Sequence, residues 1–147
     1  MSHRTESQTV SASLGLLVLR AVVGVTFIVH GWQKLKTWGI ESVEANFVQA
    51  GVPVAEVMAP VVTYVELFGG IALVLGLLSR LAGLLLFIDM LGAIGFVHAS
   101  NGFFVSEGGV ELVLLLAAGS FAIAVIGPGL LAVGGVLSSR GRAGLVA

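Results

Sequence analysis

Four stretches of this chain are each long and apolar enough to cross a bilayer, whose hydrocarbon core takes about 20 helical residues. They cover residues 14–35, 57–78, 81–98 and 109–126. The chain is 57% hydrophobic and 10% charged, against about 25% charged in a soluble domain. A soluble fold of 147 residues could not hide so much apolar surface. Consecutive spans with short connections pack antiparallel. The expectation is therefore an all-α integral membrane four-helix bundle, in contact with the lipid bilayer along its outer faces.

The connecting segments refine this picture. Residues 1–13 are a polar tail ending in serines suited to capping a helix. Arg20 interrupts the first apolar run, and no small-residue cleavage site precedes Lys34 and Lys36, so Leu14 onward reads as a retained helix and not a signal peptide. Residues 37–60 are too polar to cross. There Phe47, Val48 and Val52 interleave with Glu41, Glu44 and Asn46, the pattern of a short amphipathic helix at the interface. Gly127-Pro128-Gly129 should end the fourth span. The membrane domain is thus expected over 14–129, with an apolar and basic tail over 130–147 that lies along the membrane or continues the helix past a kink.

Arg4, Arg80, Arg140 and Arg142 fall on one side of the spans and Lys34 and Lys36 on the other. The excess of basic residues in short loops faces the cytoplasm, which predicts a multi-pass protein of the cytoplasmic membrane with both termini inside. The formal net charge is −1, without the basic excess that nucleic acid would demand. The chain has no cysteine, so its own thiols cannot carry redox chemistry.

Ionisable residues inside a membrane are costly and turn inward, pair or line a wet cavity. Helical rise places Arg20 and Asp89 near one level toward the cytoplasmic side. Glu66 falls just beyond mid-bilayer, and His30, His98 and Glu111 near the outer helix ends. Arg20 is expected to form a structural ion pair with Glu66 or Asp89; failing that, desolvation holds Glu66 protonated. Arg20, Gly24, Phe27, Gly31 and Lys34 share one helix face, as do Glu66, Gly69, Gly70, Leu73 and Gly76. Glycines there let helices approach closely or leave a slot for a flat ligand. Asp89 and His98, nine residues apart, point about 180° from each other on a straight helix. His30 and His98 have an interfacial reading beside the ligand-binding one, and Glu111 can simply favour the positive end of its helix dipole. No His/Glu pair has a recognised ligand spacing. No haem motif accompanies His30 and His98. Neither a metal nor a haem is expected.

These residues resemble the DoxX family of small four-helix membrane proteins. LRAVVGVTFIVHGWQKL, residues 19–35, is similar to the family's first helix, with its Arg, His-Gly and Lys positions. AGVPVAEVMAPVVTYVELFGGIALVLGLLSRLAGLLL resembles the second block, a Glu followed by paired glycines and a Gly-Leu-x-x-Arg turn. EGGVELVLLLAAGSFAIAVIGPG resembles the last helix. The resemblance covers residues 14–129 and carries over to Arg20, His30, Gly31, Lys34, Glu66, Gly70, Arg80 and Glu111. After Gly-Pro-Gly, members often continue with a polar Arg-Tyr-Ser-Leu-Asp-like stretch, where this chain has Leu130-Leu131-Ala132-Val133.

The resemblance implies a membrane subunit or accessory factor in redox metabolism, linked to quinone-reducing thiosulfate oxidation and to oxidoreductase assemblies, with other redox subunits as partners and a homo-oligomer compatible. A quinone needs an apolar slot and groups that bind its carbonyls and deliver protons. On that reading Glu66 and Glu111 are the catalytic proton carriers, and Arg20, His30, Gly31, Gly70 and His98 line the ligand site. The alternative is a non-catalytic scaffold that anchors soluble oxidoreductases through the loop around Glu41–Ala50 and the tail. A small-solute transporter fits less well, because the four spans carry no evident internal repeat.

Overall fold

The computed structural model describes residues 2–133, with side chains from Val10 onward. Every regular element among them is helical: α1 (Ser2–Trp32), α2 (Ile40–Gln49), α3 (Ala55–Leu75), α4 (Ser79–Gly92) and α5 (Glu111–Ile126). Both α1 and α4 widen into π-helical turns, over Gln33–Trp38 and Ala93–His98. Including these extensions, three helices are long and apolar enough to span a membrane: Val10–Trp38, Ala55–Leu75 and Ser79–Asn101. The fourth expected span is the 16-residue α5. At 1.5 Å per residue it is about 24 Å long, short of the ~30 Å hydrocarbon core. A short 3₁₀ turn, Val105–Glu107, precedes α5.

The boundaries follow local chemistry. α5 stops at Ile126 because Gly127, at φ +93°, leaves the helix ahead of Pro128. α3 stops at Gly76, whose left-handed backbone (φ +72°) accepts a cap without a Cβ clash. The amphipathic segment of the sequence is α2, which buries Val43 against the bundle. The polar 1–13 tail is different from expectation in its backbone, which is helical from Ser2. Of the C-terminal tail, residues 134–147 lie outside the described residues, and with them Arg140 and Arg142.

α1 packs chiefly on α3, and α4 on α5. Contacts between α3 and α4 and between α1 and α5 close the four-helix ring, while α2 lies on α3. The core between them holds Leu16, Val23, Phe27, Leu73, Leu86, Met90 and Ile123. Helix pairs in lipid gain little from the hydrophobic effect and rely on close backbone packing at small residues. This bundle does so twice. A Cβ on Gly24 would lie 2.7 Å from the Gly70 carbonyl oxygen. One on Gly83 would lie 2.8 Å from the Ser120 carbonyl oxygen. The lipid-facing surface is correspondingly apolar, with Val18, Val22, Val25, Val29, Phe68, Ile88 and Leu115 exposed.

Candidate functional site

Pairing of α3 with α4 sets the centre of the bundle. Gly69 faces Leu86, so in antiparallel register Glu66 and Asp89 come opposite one another. Glu66 is residue 12 of the 21 in α3, halfway along the helix, and only 3% exposed. Lys34, on the π turn that follows α1, reaches it and forms a salt bridge. The lysine side chain is 15% exposed and the glutamate side chain 4%, so the pair is largely withdrawn from the surface. Asp89, half-buried on α4, faces Glu66 across the α3–α4 seam in this register. Its Oδ2 is buried and has no hydrogen-bond partner among the described residues. Lys34, Glu66 and Asp89 thus form one polar cluster at mid-bundle, with Thr63 buried one turn away and bonded to the Ala59 carbonyl.

The expected ion pair of Arg20 with Glu66 or Asp89 is corrected by this geometry. Arg20 is 1% exposed and donates to three backbone carbonyls: Leu73, from Nε at 3.2 Å; Leu131, at 2.9 Å; and Pro128. Leu73 is seven residues beyond Glu66, about 10 Å along the helix, which puts the carboxylate out of reach. The guanidinium instead serves the exposed carbonyl end of α3, where the helix dipole is negative, and ties it to the segment after α5. Gly76 leaves room for this: a Cβ there would lie 3.0 Å from the guanidinium. The expected level shared by Arg20 and Asp89 is likewise corrected, since Asp89 belongs with Glu66.

The remaining candidates separate from the cluster. Gly31 and Gly70 are filled contacts and not a slot. Added Cβ atoms would sit 2.7 Å from the Leu67 amide and 2.6 Å from the Gly24 carbonyl. His30 is half-buried on α1. His98 bonds the Gly108 carbonyl through Nδ1 at 2.6 Å, closing the loop between α4 and α5. Glu111 accepts from the Val105 amide at 3.0 Å and braces the same loop. With Phe87 packed on Phe121, Glu111 lies about 10 Å further along α5 than the Asp89 level. His98 lies nine residues beyond Asp89, at the loop end of a helix that widens at Ala93.

Lys34 was legible only as part of the first motif, and its partnership with Glu66 had no signature in the sequence. Its signal was a lysine on the glycine-bearing face of α1, three residues beyond Gly31. The end of the bundle that carries Lys34 also exposes Trp32, Trp38, Phe103 and Phe104, the aromatic belt of a membrane interface. Beside them, an open groove on α1 is lined by Ile28, Val29, Trp32, Gln33 and Thr37. No group of three or more His, Cys, Asp or Glu among the described residues has the geometry to hold a metal ion.

The DoxX family model matches residues 15–99, which contain the whole Lys34–Glu66–Asp89 cluster. A Bacillus subtilis protein named "Putative oxidoreductase CatD" is 37% identical over 84 residues, 57% of this chain and 60% of that protein. A Haemophilus influenzae protein is 36% identical over 103 residues, 68% of this chain and 73% of its own length. A Mycobacterium tuberculosis membrane protein is 35% identical over 79 residues, 54% of this chain and 48% of the relative. The chain covers less than two thirds of the Bacillus and Mycobacterium relatives' own lengths. No solved structure matches it. With its family model matched over more than half of its length and its helices long and apolar enough to lie in lipid, this chain belongs to the DoxX family of membrane proteins.

Proposed function

We propose that this DoxX protein is a quinone-linked subunit or accessory factor of a membrane oxidoreductase system, seated in the cytoplasmic membrane with both termini inside. The observation that carries this reading is the Lys34–Glu66 pair with the open Asp89 oxygen, held at the middle of an apolar bundle. Intramembrane ionisable groups are functional candidates by default because they are expensive to keep there. A quinone accepts electrons and protons together and moves them within the apolar phase. The donor set fits such a head group: an ammonium to hold a carbonyl oxygen, and carboxyl groups beside it to exchange protons. The groove along Ile28, Val29 and Trp32 suits an apolar tail. The name carried by the Bacillus relative supports an oxidoreductase context.

Within this reading Glu66 and Asp89 move protons and Lys34 holds the ligand and balances charge. Arg20 keeps the opposite end of the bundle closed. Electrons arrive from a partner subunit. The test is purification in mild detergent followed by extraction and quantification of quinone per chain, for the wild type and for Lys34→Ala and Glu66→Gln. Near-stoichiometric quinone that falls at least tenfold in both variants supports the redox subunit. Quinone-free, well-folded protein sinks it and leaves the scaffold, whose contacts would lie on α2.

A further inference from the structure

Asp89, an expected ion-pair partner of Arg20 beside Glu66, does not meet it, because the guanidinium donates to backbone carbonyls. What remains is a carboxyl with one buried oxygen and no donor beside it among the described residues. The charges that surround it can be counted element by element. α3 presents Glu66, and the π turn after α1 presents Lys34, already committed to Glu66. α5 carries no charged residue from 112 to 126. α2, packed on α3 toward the aromatic end, carries Glu41 and Glu44, and α1 carries half-buried His30.

One ammonium and two ionised carboxylates would leave a single uncompensated negative charge at the centre of the bundle. An unpaired charge at that depth is costly, and two carboxyl groups that share a site resist ionising together. A single proton on the pair removes both problems. It makes the cluster neutral, and it converts one acceptor-only carboxylate into a donor, so the open Asp89 oxygen no longer lacks a partner type.

We propose that Glu66 and Asp89 together bind one exchangeable proton, with Lys34 as counter-ion, and so form a proton-binding site at the middle of the membrane. The proposal deepens the quinone reading by naming the proton store of the same site, yet it rests on the cluster's charge count and holds with or without a quinone.

Infrared spectroscopy of the full chain in phosphatidylcholine vesicles, with no quinone added, reads this directly. At neutral pH the wild type should show the carboxylic-acid C=O stretch of one group per chain. Asp89→Asn and Glu66→Gln should each abolish it, because the remaining carboxylate pairs with Lys34. Lys34→Met should double it, because both carboxyls then stay neutral. The helical amide band of the same spectra reports folding. A wild-type spectrum without the acid band, or a band undiminished by either carboxyl substitution, overturns the assignment. Loss of quinone binding with the band intact would instead count against the quinone reading alone.

Discussion

Gly24 of α1 and Gly70 of α3 face each other so closely that a Cβ on either would lie within 2.7 Å of the other's carbonyl oxygen. This contact draws the two helices together one turn of α3 from Glu66. Overpacking a close contact costs about 1–3 kcal/mol, and backbone offers no flexible end to move aside. Gly24→Leu and Gly70→Leu should therefore each lower the thermal midpoint in detergent. Gly15→Ala, with nothing within 4 Å of its Cβ, should hold or raise it. Equal midpoints for all three variants would remove the close contact from the account of stability.

Lys34 and Glu66 form a buried pair, so removing one partner should cost more than removing both. Breaking such a pair typically costs about 3–5 kcal/mol, a cost that pairing of Asp89 with Lys34 or protonation of the carboxyls reduces here without removing. Lys34→Met and Glu66→Leu alone should each be clearly destabilised in denaturant titration, and the double variant should recover part of the loss. Strict additivity of the two would mean that they are not coupled.

Arg20 donates to Leu73, Pro128 and Leu131. Lysine keeps the charge but lacks the planar fork that serves several carbonyls at once. A hydrogen bond to a charged group contributes about 1.5–3 kcal/mol. Arg20→Lys should thus release the segment after α5, seen as faster proteolysis beyond Ile126, while quinone content stays unchanged. Wild-type protease resistance in Arg20→Lys would show that the guanidinium does not hold that segment.

Glu111 braces the loop through the Val105 amide, and glutamine keeps an oxygen able to accept that bond. Glu111→Gln should leave quinone content and stability near wild type, with a change below about 0.5 kcal/mol. Glu66→Gln should not. A quinone loss in Glu111→Gln equal to that in Glu66→Gln would return Glu111 to the site as a proton carrier.

Trp32 and Trp38 are the chain's two tryptophans, and both are exposed at the end of α1. Interfacial tryptophans sit at headgroup depth, so lipids brominated near the glycerol should quench their fluorescence more strongly than lipids brominated at the chain terminus. The reverse order would put this end of α1 deeper than the aromatic belt.

Much of the architecture was legible because length and apolarity are local properties. The runs around Arg20, Glu66 and Asp89 announce helices in lipid whatever they pack against, and Gly127-Pro128 announces the end of α5. The amphipathic α2 followed from the spacing of Phe47 and Val48 among Glu41, Glu44 and Asn46. The motif around His30 and Gly31 pointed to the DoxX family. The site was legible only as a set of candidates. Depth along a helix placed Glu66 near the middle, but depth alone could not say whether Arg20 or Lys34 would be its partner.

That choice was decided by tertiary structure. Hydropathy determined that this chain lies in a membrane as a helical bundle, since each run must bury or lipidate its own surface. Register between helices is set instead by which small residues meet: Gly24 with Gly70, Gly69 with Leu86, Gly83 with Ser120. Those contacts slide α3 until Glu66 stands opposite Asp89 and within reach of Lys34, and leave Arg20 beside the carbonyl end of α3. A shift of about two helical turns, roughly 11 Å, would have brought Glu66 to Arg20 with no change in hydropathy, which is why the sequence alone carried the bundle but not the pairing.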